Sequence, residues 1–305
     1  MPGTPDRPRG VPGRGEGQHM PIGEVARWLR NAHRAPEILA ARRRARDWRR
    51  LSLRYLGIAQ GPFPYDLMLR DGVRFRFESR EEIKVFWNIF VRSNYHVDRD
   101  ARLILDAGAN IGMFAVWAAR VAPGARIFSV EPWPSTFERL NRHLQMNGLA
   151  DRVVTENVAL AGESGRRLLV GSDTESCSNR IDLDRSRSAG IHPQPIDLVE
   201  CRTLEAALDR FGIDTLDLLK MDIEGSEYET LLATPPAVLR RIRTINLEYH
   251  EVAAHLGHSR EQLFAHLAEG GLVPIHVIED EHRTGIALFK QSARGRNRQD
   301  AAGGS

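Results

Sequence analysis

From residue 102 onward, short apolar runs alternate with amphipathic segments, and this alternation restricts the fold more than any other feature. The run at residues 103–105 (LIL) is continuously apolar, as is typical of a parallel strand covered on both faces. Repeated β-α-β units with right-handed crossovers predict a mostly parallel sheet. The first predicted elements are strands at 103–105, 127–130 and 153–156 and helices at 113–121 and 135–147.

A polar segment at residues 161–195 interrupts this alternation. It is rich in Ser, Gly, Asp and Arg, and a long polar stretch inside a compact domain is usually either functional or disordered. The alternation then resumes with predicted strands at 216–221 and 242–249, helices at 203–211, 226–232 and 259–269, and a final antiparallel pair at 272–278 and 285–289. The expected class is therefore α/β.

The chain before residue 99 has a different character. Residues 21–58 are predicted to be helical with a break near Pro36, residues 65–69 and 73–77 flank an Asp-Gly turn that predicts a β-hairpin, and 80–92 predicts an amphipathic helix. We expect four parts: a flexible tail at 1–20, an N-terminal helical and hairpin accessory segment at 21–98, the α/β domain at 99–290, and a second flexible tail at 291–305.

Composition excludes some classes of protein. No stretch approaches the roughly 18–20 uninterrupted apolar residues that span a bilayer, and the N-terminus lacks the apolar core of a secretory signal. Cys177 and Cys201 are too few for a disulfide framework, so a cytoplasmic location is expected. Arginines crowd residues 42–54. They are interpreted as the solvated face of a helix rather than as a nucleic-acid contact, so nucleic acid is not an expected partner.

The loop after the first predicted strand has features of a cofactor site. Residues 106–112 read DAGANIG, and glycine lets a backbone turn tightly and approach a ligand closely. The spacing differs from the Gly-x-Gly-x-x-Gly of dinucleotide-binding loops, and Asp106 would repel a pyrophosphate. An acid suits a cofactor with cationic groups, such as S-adenosylmethionine. Glu131 ends the second strand, where an acid can accept hydrogen bonds from ribose hydroxyls.

These residues resemble the FkbM-family methyltransferases. The resemblance rests on LDAGANIG at 105–112, VEP at 130–132 with Asn141 and Asn147 on the next helix, and LKMDIEGSE at 219–227. It covers roughly residues 80–290, and the LKMDIEGSE run is its most specific part. It implies a class I methyltransferase Rossmann-like fold, in which a mostly parallel seven-stranded sheet has an antiparallel last strand.

The resemblance also implies a cofactor and a reaction. Members of the family transfer a methyl group from S-adenosylmethionine, usually to a hydroxyl of a sugar, polyketide or other secondary metabolite. It implies that the methionine and ribose side of the cofactor contacts Asp106, Gly108, Asn110 and Gly112, that Glu131 binds the ribose, and that Asn157 lies at the adenine pocket.

Catalytic candidates follow the fourth and fifth strands of the α/β domain. Asp222 is the first, because a hydroxyl needs help to lose its proton and Asp222 ends a strand beside the cofactor loop. Glu248 and His250 are two apart and share one side of a strand, so with Asp222 they could form a general base or hold a divalent metal ion. Glu224 and Glu227 are expected to cap the next helix. No role is assigned to His96, His192, His255 or His258.

Two other functions stay open at this stage. One is a nicotinamide-dependent oxidoreductase, which the DAGANIG loop disfavours, and the other is a non-catalytic nucleic-acid-associated binding module that uses the arginine-rich segment. For the methyltransferase, a small-molecule acceptor is the expected partner. The N-terminal region and the polar segment at 161–195 are expected to cover its pocket. The sequence does not define the oligomeric state.

Overall fold

The computed structural model describes residues 34–170, 180–181, 195–250, 258–279 and 284–292. Its N-terminal part holds helices α1 (Ala35–Arg44) and α2 (Trp48–Tyr55), hairpin strands β1 (Tyr65–Met68) and β2 (Arg74–Phe77), and helix α3 (Arg80–Phe86), which continues as a π-helical turn at Trp87–Arg92. The predicted hairpin and the helix at 80–92 are thus confirmed. Pro36 stands in the first turn of α1, where a backbone N–H has no helical partner to lose. The predicted helical stretch before it, at residues 21–33, lies outside the described residues.

The α/β domain follows the accessory segment. Its first half comprises β3 (Leu103–Ala107), α4 (Met113–Val121), β4 (Arg126–Val130), α5 (Pro134–Met146) and β5 (Val153–Glu156). Four further strands come next, β6 (Ala159–Leu160), β7 (Gly165–Val170), β8 (Arg180–Ile181) and β9 (Pro195–Arg202). The remaining elements are α6 (Leu204–Arg210), β10 (Leu218–Met221), α7 (Glu227–Ala233), α8 (Pro236–Leu239), β11 (Thr244–His250), α9 (Arg260–Glu269), β12 (Leu272–Glu279) and β13 (Thr284–Gln291).

Within the described ranges, seven strands form one sheet in the order β12-β13-β11-β10-β3-β4-β5. Strand β13 is antiparallel to both of its neighbours, whereas the pairings from β11 to β5 are parallel. Lys220 lies opposite Asp106, and Met221 opposite Ala107, so β3 and β10 end side by side. The expected class I arrangement, with its antiparallel last strand, is confirmed.

The polar segment at 161–195 contains strands that the apolar pattern did not predict. In a second sheet of order β6-β9-β7-β8, β7 pairs antiparallel with β9. Leu169 and Cys201 are buried with Trp133 in a small apolar cluster, whereas Leu168 is 43% exposed. The first half of β7 is Gly165, Arg166 and Arg167, and only one face of the strand is covered, so its short apolar run at 168–170 was read as part of the polar segment.

The accessory segment shares a hydrophobic core with one face of the main sheet. Leu51, Phe75 and Phe86 belong to the same buried cluster as Ile104 and Val116. A second cluster, between the other face and helices α6 to α9, includes Leu208, Leu231 and Leu267. The buried ion pair between Arg139 of α5 and Glu82 of α3, at 2.7 Å, also joins the two parts. None of the described helices is long and apolar enough to cross a membrane.

Candidate functional site

A cavity opens at the carboxyl ends of β3, β4 and β10. Ligands of open parallel sheets bind at this edge. Its described lining includes Gly108, Asn110, Glu131, Asp222 and Glu224. The fold therefore brings both predicted cofactor segments and the first catalytic candidate to one cavity.

The glycine loop after β3 adopts conformations that L side chains rarely reach. Gly108 and Gly112 have φ values of +72° and +87°, and Asn110 has a φ of +49°. Asn110 stabilises its own geometry, because its Oδ1 accepts the N–H of Ile111 at 2.7 Å. A Cβ on Gly108 would lie 1.8 Å from the carbonyl oxygen of Asp222. Gly108 is therefore required both by its backbone conformation and by the close approach of the loop after β10.

Glu131 is buried at the end of β4 and is bound to the glycine loop. Its Oε2 accepts the N–H of Asn110 at 2.9 Å, and its Oε1 accepts the N–H of Trp133 at 3.0 Å. Burial raises the pKa of Glu131 to about 7, although both hydrogen bonds act in the opposite direction. A rigidly held carboxyl group thus lines the cavity where the sequence predicted a ribose contact.

Asp106 is placed differently from the expectation that it contacts a cofactor. Its side chain is completely buried and is not part of the cavity lining. The Asp106 carboxylate lies 3.6 Å from the ammonium of Lys220. Burial raises the pKa of Asp106 to about 6, while the Lys220 charge lowers it. The neighbour through which the Asp106 carboxylate can influence the cavity is therefore Lys220.

These two buried acids predict that the ligand-free protein loses stability between about pH 4 and pH 7. A carboxyl whose pKa is raised by folding binds a proton more tightly in the folded state than in the unfolded state. Its contribution to the free energy of unfolding is therefore complete below the unfolded-state pKa and is lost as pH rises through the folded-state pKa. For Glu131, a shift from 4.5 to about 7 corresponds to roughly 3 kcal/mol.

Urea unfolding at pH 5 and pH 7.5 measures this loss. In Glu131→Gln, the difference in the free energy of unfolding between the two pH values is expected to shrink by the contribution of Glu131. In Glu81→Gln, at an exposed position on α3, this difference is expected to stay unchanged. A free energy of unfolding that rises over this interval would contradict the assignment.

Asn157 lies beside the predicted adenine region rather than in the cavity lining. Its side-chain amide donates to the carbonyl oxygens of Glu131 and Pro132, at 2.8 and 2.9 Å, and so fixes the chain after β4. The next residues, Val158 and Ala159, line the cavity instead. The predicted cofactor contact of Asn157 stays a prediction, and its observed partners are backbone groups.

Lys220 is a cavity residue that sequence reasoning missed. It is 4% exposed, and its ammonium donates to the carbonyl oxygens of Gly108 at 2.7 Å and Ala107 at 3.3 Å. Asp106 and Asp222 each lie 3.6 Å from it. The signal was present in the LKMDIEGSE run, because a Lys inside an otherwise apolar strand requires buried partners.

The turn after β10 is organised by Glu227. Glu227 is completely buried, and its two carboxylate oxygens accept the N–H groups of Ile223 and Gly225, both at 2.9 Å. Glu227 stands in the first turn of α7, where an acid is favourable, but its hydrogen bonds go to the turn before the helix, so the expected capping role stays a prediction. Glu224 differs, because it lines the cavity with a φ of +53°, and burial together with the Asp222 charge raises its pKa to about 8.

His250 and Glu248 have different partners. His250 Nδ1 lies 3.2 Å from Glu227 Oε1, and Nε2 lies 3.9 Å from Glu224 Oε2. Burial would lower the pKa of His250, but the hydrogen bond and charge of Glu227 and the charge of Asp222 raise it to about 10. Glu248 accepts the hydroxyl of Tyr95 at 2.9 Å. Tyr95, from the accessory segment, lines the cavity, whereas Glu248 is not part of the described lining.

A divalent cation could be held by Asp222, Glu224 and His250. One ligand atom from each lies within 4.8 Å of the others. Oxygen and imidazole ligands suit several divalent metals. The expected pairing of Asp222 with Glu248 in a metal site is thus replaced, among the described residues, by a group that contains Glu224 and His250.

The other histidines lie elsewhere or have structural neighbours. His96 Nε2 is 2.8 Å from Asp98 and 3.1 Å from Lys290 Nζ. The ring of His258 stacks on Tyr228 with centroids 5.7 Å apart. His192 and His255 lie outside the described residues, as do the predicted tail at 1–20 and residues 293–305 of the tail predicted at 291–305. The predicted start of that second tail is wrong, because Gln291 is buried at the end of β13 and donates to the carbonyl oxygens of Leu239 and Gly270.

The arginine-rich segment forms part of the surface of α1 and α2. Arg49 and Arg50 are exposed while Leu51 is buried, so the interpretation as a solvated helix face holds for them. Arg54 is an exception. It is 4% exposed, donates to the carbonyl oxygen of Pro62 at 3.1 Å, and covers the ring of Tyr65.

Comparison with known proteins gives the same family as the motifs. The sequence model of the methyltransferase FkbM domain matches residues 106–271. AMB antimetabolite synthetase AmbE of Pseudomonas aeruginosa is 30% identical over 55% of this chain and 9% of its own length. 31-O-demethyl-FK506 methyltransferase FkbM of Streptomyces tacrolimicus is 29% identical over 52% of this chain and 69% of its own. 2-O-methyltransferase NoeI of Sinorhizobium fredii is 28% identical over 51% of this chain and 66% of its own length.

Proposed function

This chain belongs to the FkbM methyltransferase family, and we propose that it transfers the methyl group of S-adenosylmethionine to a hydroxyl oxygen of a small molecule. The observation that carries the proposal is the single cavity at which the glycine loop, Glu131 and Asp222 meet. The matched AmbE segment is a small fraction of that protein, so the activity of this chain rests on its own cavity as well as on the family.

The cavity suits S-adenosylmethionine better than a dinucleotide. Glu131 can accept hydrogen bonds from ribose hydroxyls. Asp222 adds negative charge to the lining, which attracts the sulfonium and the amino group of this cofactor and repels a pyrophosphate. Gly108 and Asn110 line the cavity on the side expected for the methionine moiety, whereas Gly112 is outside the described lining. Asp106 lies beside Lys220, which donates to the carbonyl oxygen of Gly108.

We assign proton removal to Asp222. Methyl transfer is an in-line displacement: the acceptor oxygen forms a bond to the methyl carbon as the carbon–sulfur bond breaks, which leaves S-adenosylhomocysteine. The hydroxyl proton passes to a carboxylate, and Asp222 is the strand-end carboxylate of the catalytic set that lines the cavity. Glu248 and His250 support it electrostatically. Both ring nitrogens of His250 face carboxylates, which favours a cationic imidazole over a base.

The acceptor is proposed to be a hydroxyl of a secondary metabolite. The names of the FkbM and NoeI relatives both specify transfer to oxygen. Val85, Ile89 and Tyr95 of the accessory segment line the cavity, in agreement with the expectation that the N-terminal region covers the acceptor pocket. A cytoplasmic location is proposed because Cys201 is a buried free thiol.

Incubation with methyl-labelled S-adenosylmethionine and an extract of the source organism tests this function. The expected product is a small molecule that gains one labelled methyl group as an ether, and formation of the labelled product stops when excess S-adenosylhomocysteine is added. Label on nitrogen would contradict the acceptor class, label on nucleic acid would contradict a small-molecule acceptor, and no labelled product at all would favour the non-catalytic binding-module alternative.

A further inference from the structure

Lys220 has a buried charge that the proposed transfer chemistry does not use. An ammonium is seldom buried without partners, since removing it from water costs several kcal/mol. Its hydrogen bonds go to the carbonyl oxygens of Ala107 and Gly108. Both neighbouring carboxylates, of Asp106 and Asp222, lie 3.6 Å away, which is an ion pair but longer than a hydrogen bond.

The charges around the cavity are unevenly distributed. Among its described lining residues, Glu131, Asp222 and Glu224 are acids, and Lys220 is the cationic side chain. Together with the buried Asp106, four acids therefore surround one lysine, and the charges of Asp222 and Asp106 raise the lysine pKa against the effect of burial. The ammonium is thus charged at neutral pH and is the one basic side chain in that lining.

The amino-acid end of S-adenosylmethionine carries charges of both signs. Acids can receive its ammonium and its sulfonium, but its carboxylate needs a donor or a positive charge. Carboxylates prefer charge-assisted hydrogen bonds, which are shorter and about twice as strong as neutral ones. The glycine loop, which is expected to contact the methionine side, includes the carbonyl oxygen that Lys220 contacts at 2.7 Å.

We propose that Lys220 binds the carboxylate of the methionine moiety and so selects cofactors that retain it. An ammonium has three N–H donors, and the carbonyl oxygens of Ala107 and Gly108 account for two. The third has only the carboxylates of Asp106 and Asp222 near it, each at 3.6 Å, and a ligand carboxylate in the cavity would give it a closer acceptor. This inference rests on the proposed function, because it concerns the same cofactor.

Calorimetry with two ligands tests the role without knowledge of the methyl acceptor. S-adenosylhomocysteine and its decarboxylated analogue differ by the carboxylate alone. The wild-type protein is expected to bind S-adenosylhomocysteine about 10- to 100-fold more tightly than the analogue. Lys220→Met is expected to reduce this ratio to about 3-fold or less, and Lys220→Arg to restore most of it. Lys290→Met, which alters a lysine of β13 near His96, should leave the ratio unchanged.

The ratio of the two ligand affinities distinguishes a lysine that binds the ligand carboxylate from a lysine that only supports the glycine loop. If Lys220 only holds the backbone of Ala107 and Gly108, Lys220→Met weakens both ligands by the same factor and the ratio stays at its wild-type value, which would overturn the proposal. If Lys220→Met does not fold, the double variant Asp106→Asn/Lys220→Met, which removes both members of the ion pair, is used instead. Its ratio of ligand affinities is compared with that of the single variant Asp106→Asn, and the proposal predicts a lower ratio in the double variant. Failure of the proposed function looks different, because the wild-type protein would then bind neither ligand.

Discussion

Replacing Asp222 with Asn is expected to lower the rate of methyl transfer about 1000-fold. General-base catalysis contributes about 10²- to 10⁴-fold, and an amide of the same shape cannot take the hydroxyl proton. Asp222 lines the cavity and its carboxylate is 25% exposed, so it can reach an acceptor. The loop geometry is expected to persist, because the backbone N–H of Asp222 bonds to the carbonyl oxygen of Ala107 independently of the side chain.

The measurement is incorporation of labelled methyl into the extract acceptor at saturating S-adenosylmethionine, with calorimetry of S-adenosylhomocysteine beside it. The rate is expected to fall while cofactor affinity stays within a few-fold of wild type. Asp209→Asn is the matched control, because Asp209 is an exposed acid paired with Arg241 on the surface. An Asp222→Asn variant that retains more than a tenth of the wild-type rate would exclude Asp222 as the base.

Replacing Gly108 with Ala is expected to weaken S-adenosylhomocysteine binding more than 100-fold. The new Cβ would lie 1.8 Å from the carbonyl oxygen of Asp222, a backbone atom that cannot rotate away as a side chain would. The glycine loop and the turn after β10 must therefore separate, which displaces Asn110 from Glu131. Calorimetry measures the affinity, and circular dichroism establishes whether the variant is folded.

Gly212→Ala separates the clash from backbone strain. Gly212 has a φ of +66°, close to the +72° of Gly108, but a Cβ there meets nothing within 4 Å. The cost at Gly212 is therefore conformational strain alone, about 1 kcal/mol, and cofactor affinity should not change. Equal losses of affinity in the two variants would show that the close approach at Gly108 is unimportant.

The central strands of the main sheet could be predicted because they are buried on both faces. Residues 103–105 are continuously apolar and 127–130 are apolar except for Ser129, so their extent was found to within two residues. Strand β7 was missed because only one of its faces is covered, and its outward positions include Arg166. The limits of the helices were recoverable where a capping residue marks them, as at Ser259, which accepts the N–H of Gln262 at the start of α9.

The site could be predicted only in part, because tertiary contacts decide which side chain faces the cavity. Asp222 follows a strand and its position could be read from the alternation. Asp106 also belongs to the loop motif, but the pairing of β3 with β10 places it opposite Lys220, and its side chain is buried. The contact between Tyr95 and Glu248 joins residues 153 positions apart, which no local pattern in one sequence reveals.

The most direct test of the account is calorimetric titration of pure, ligand-free protein with S-adenosylhomocysteine and, separately, with NADH. One equivalent of S-adenosylhomocysteine is expected to bind, with affinity that falls in Glu131→Ala, and NADH is expected to give no heat above dilution. Uptake of NADH without uptake of S-adenosylhomocysteine would contradict the assignment of the cavity to a sulfonium cofactor.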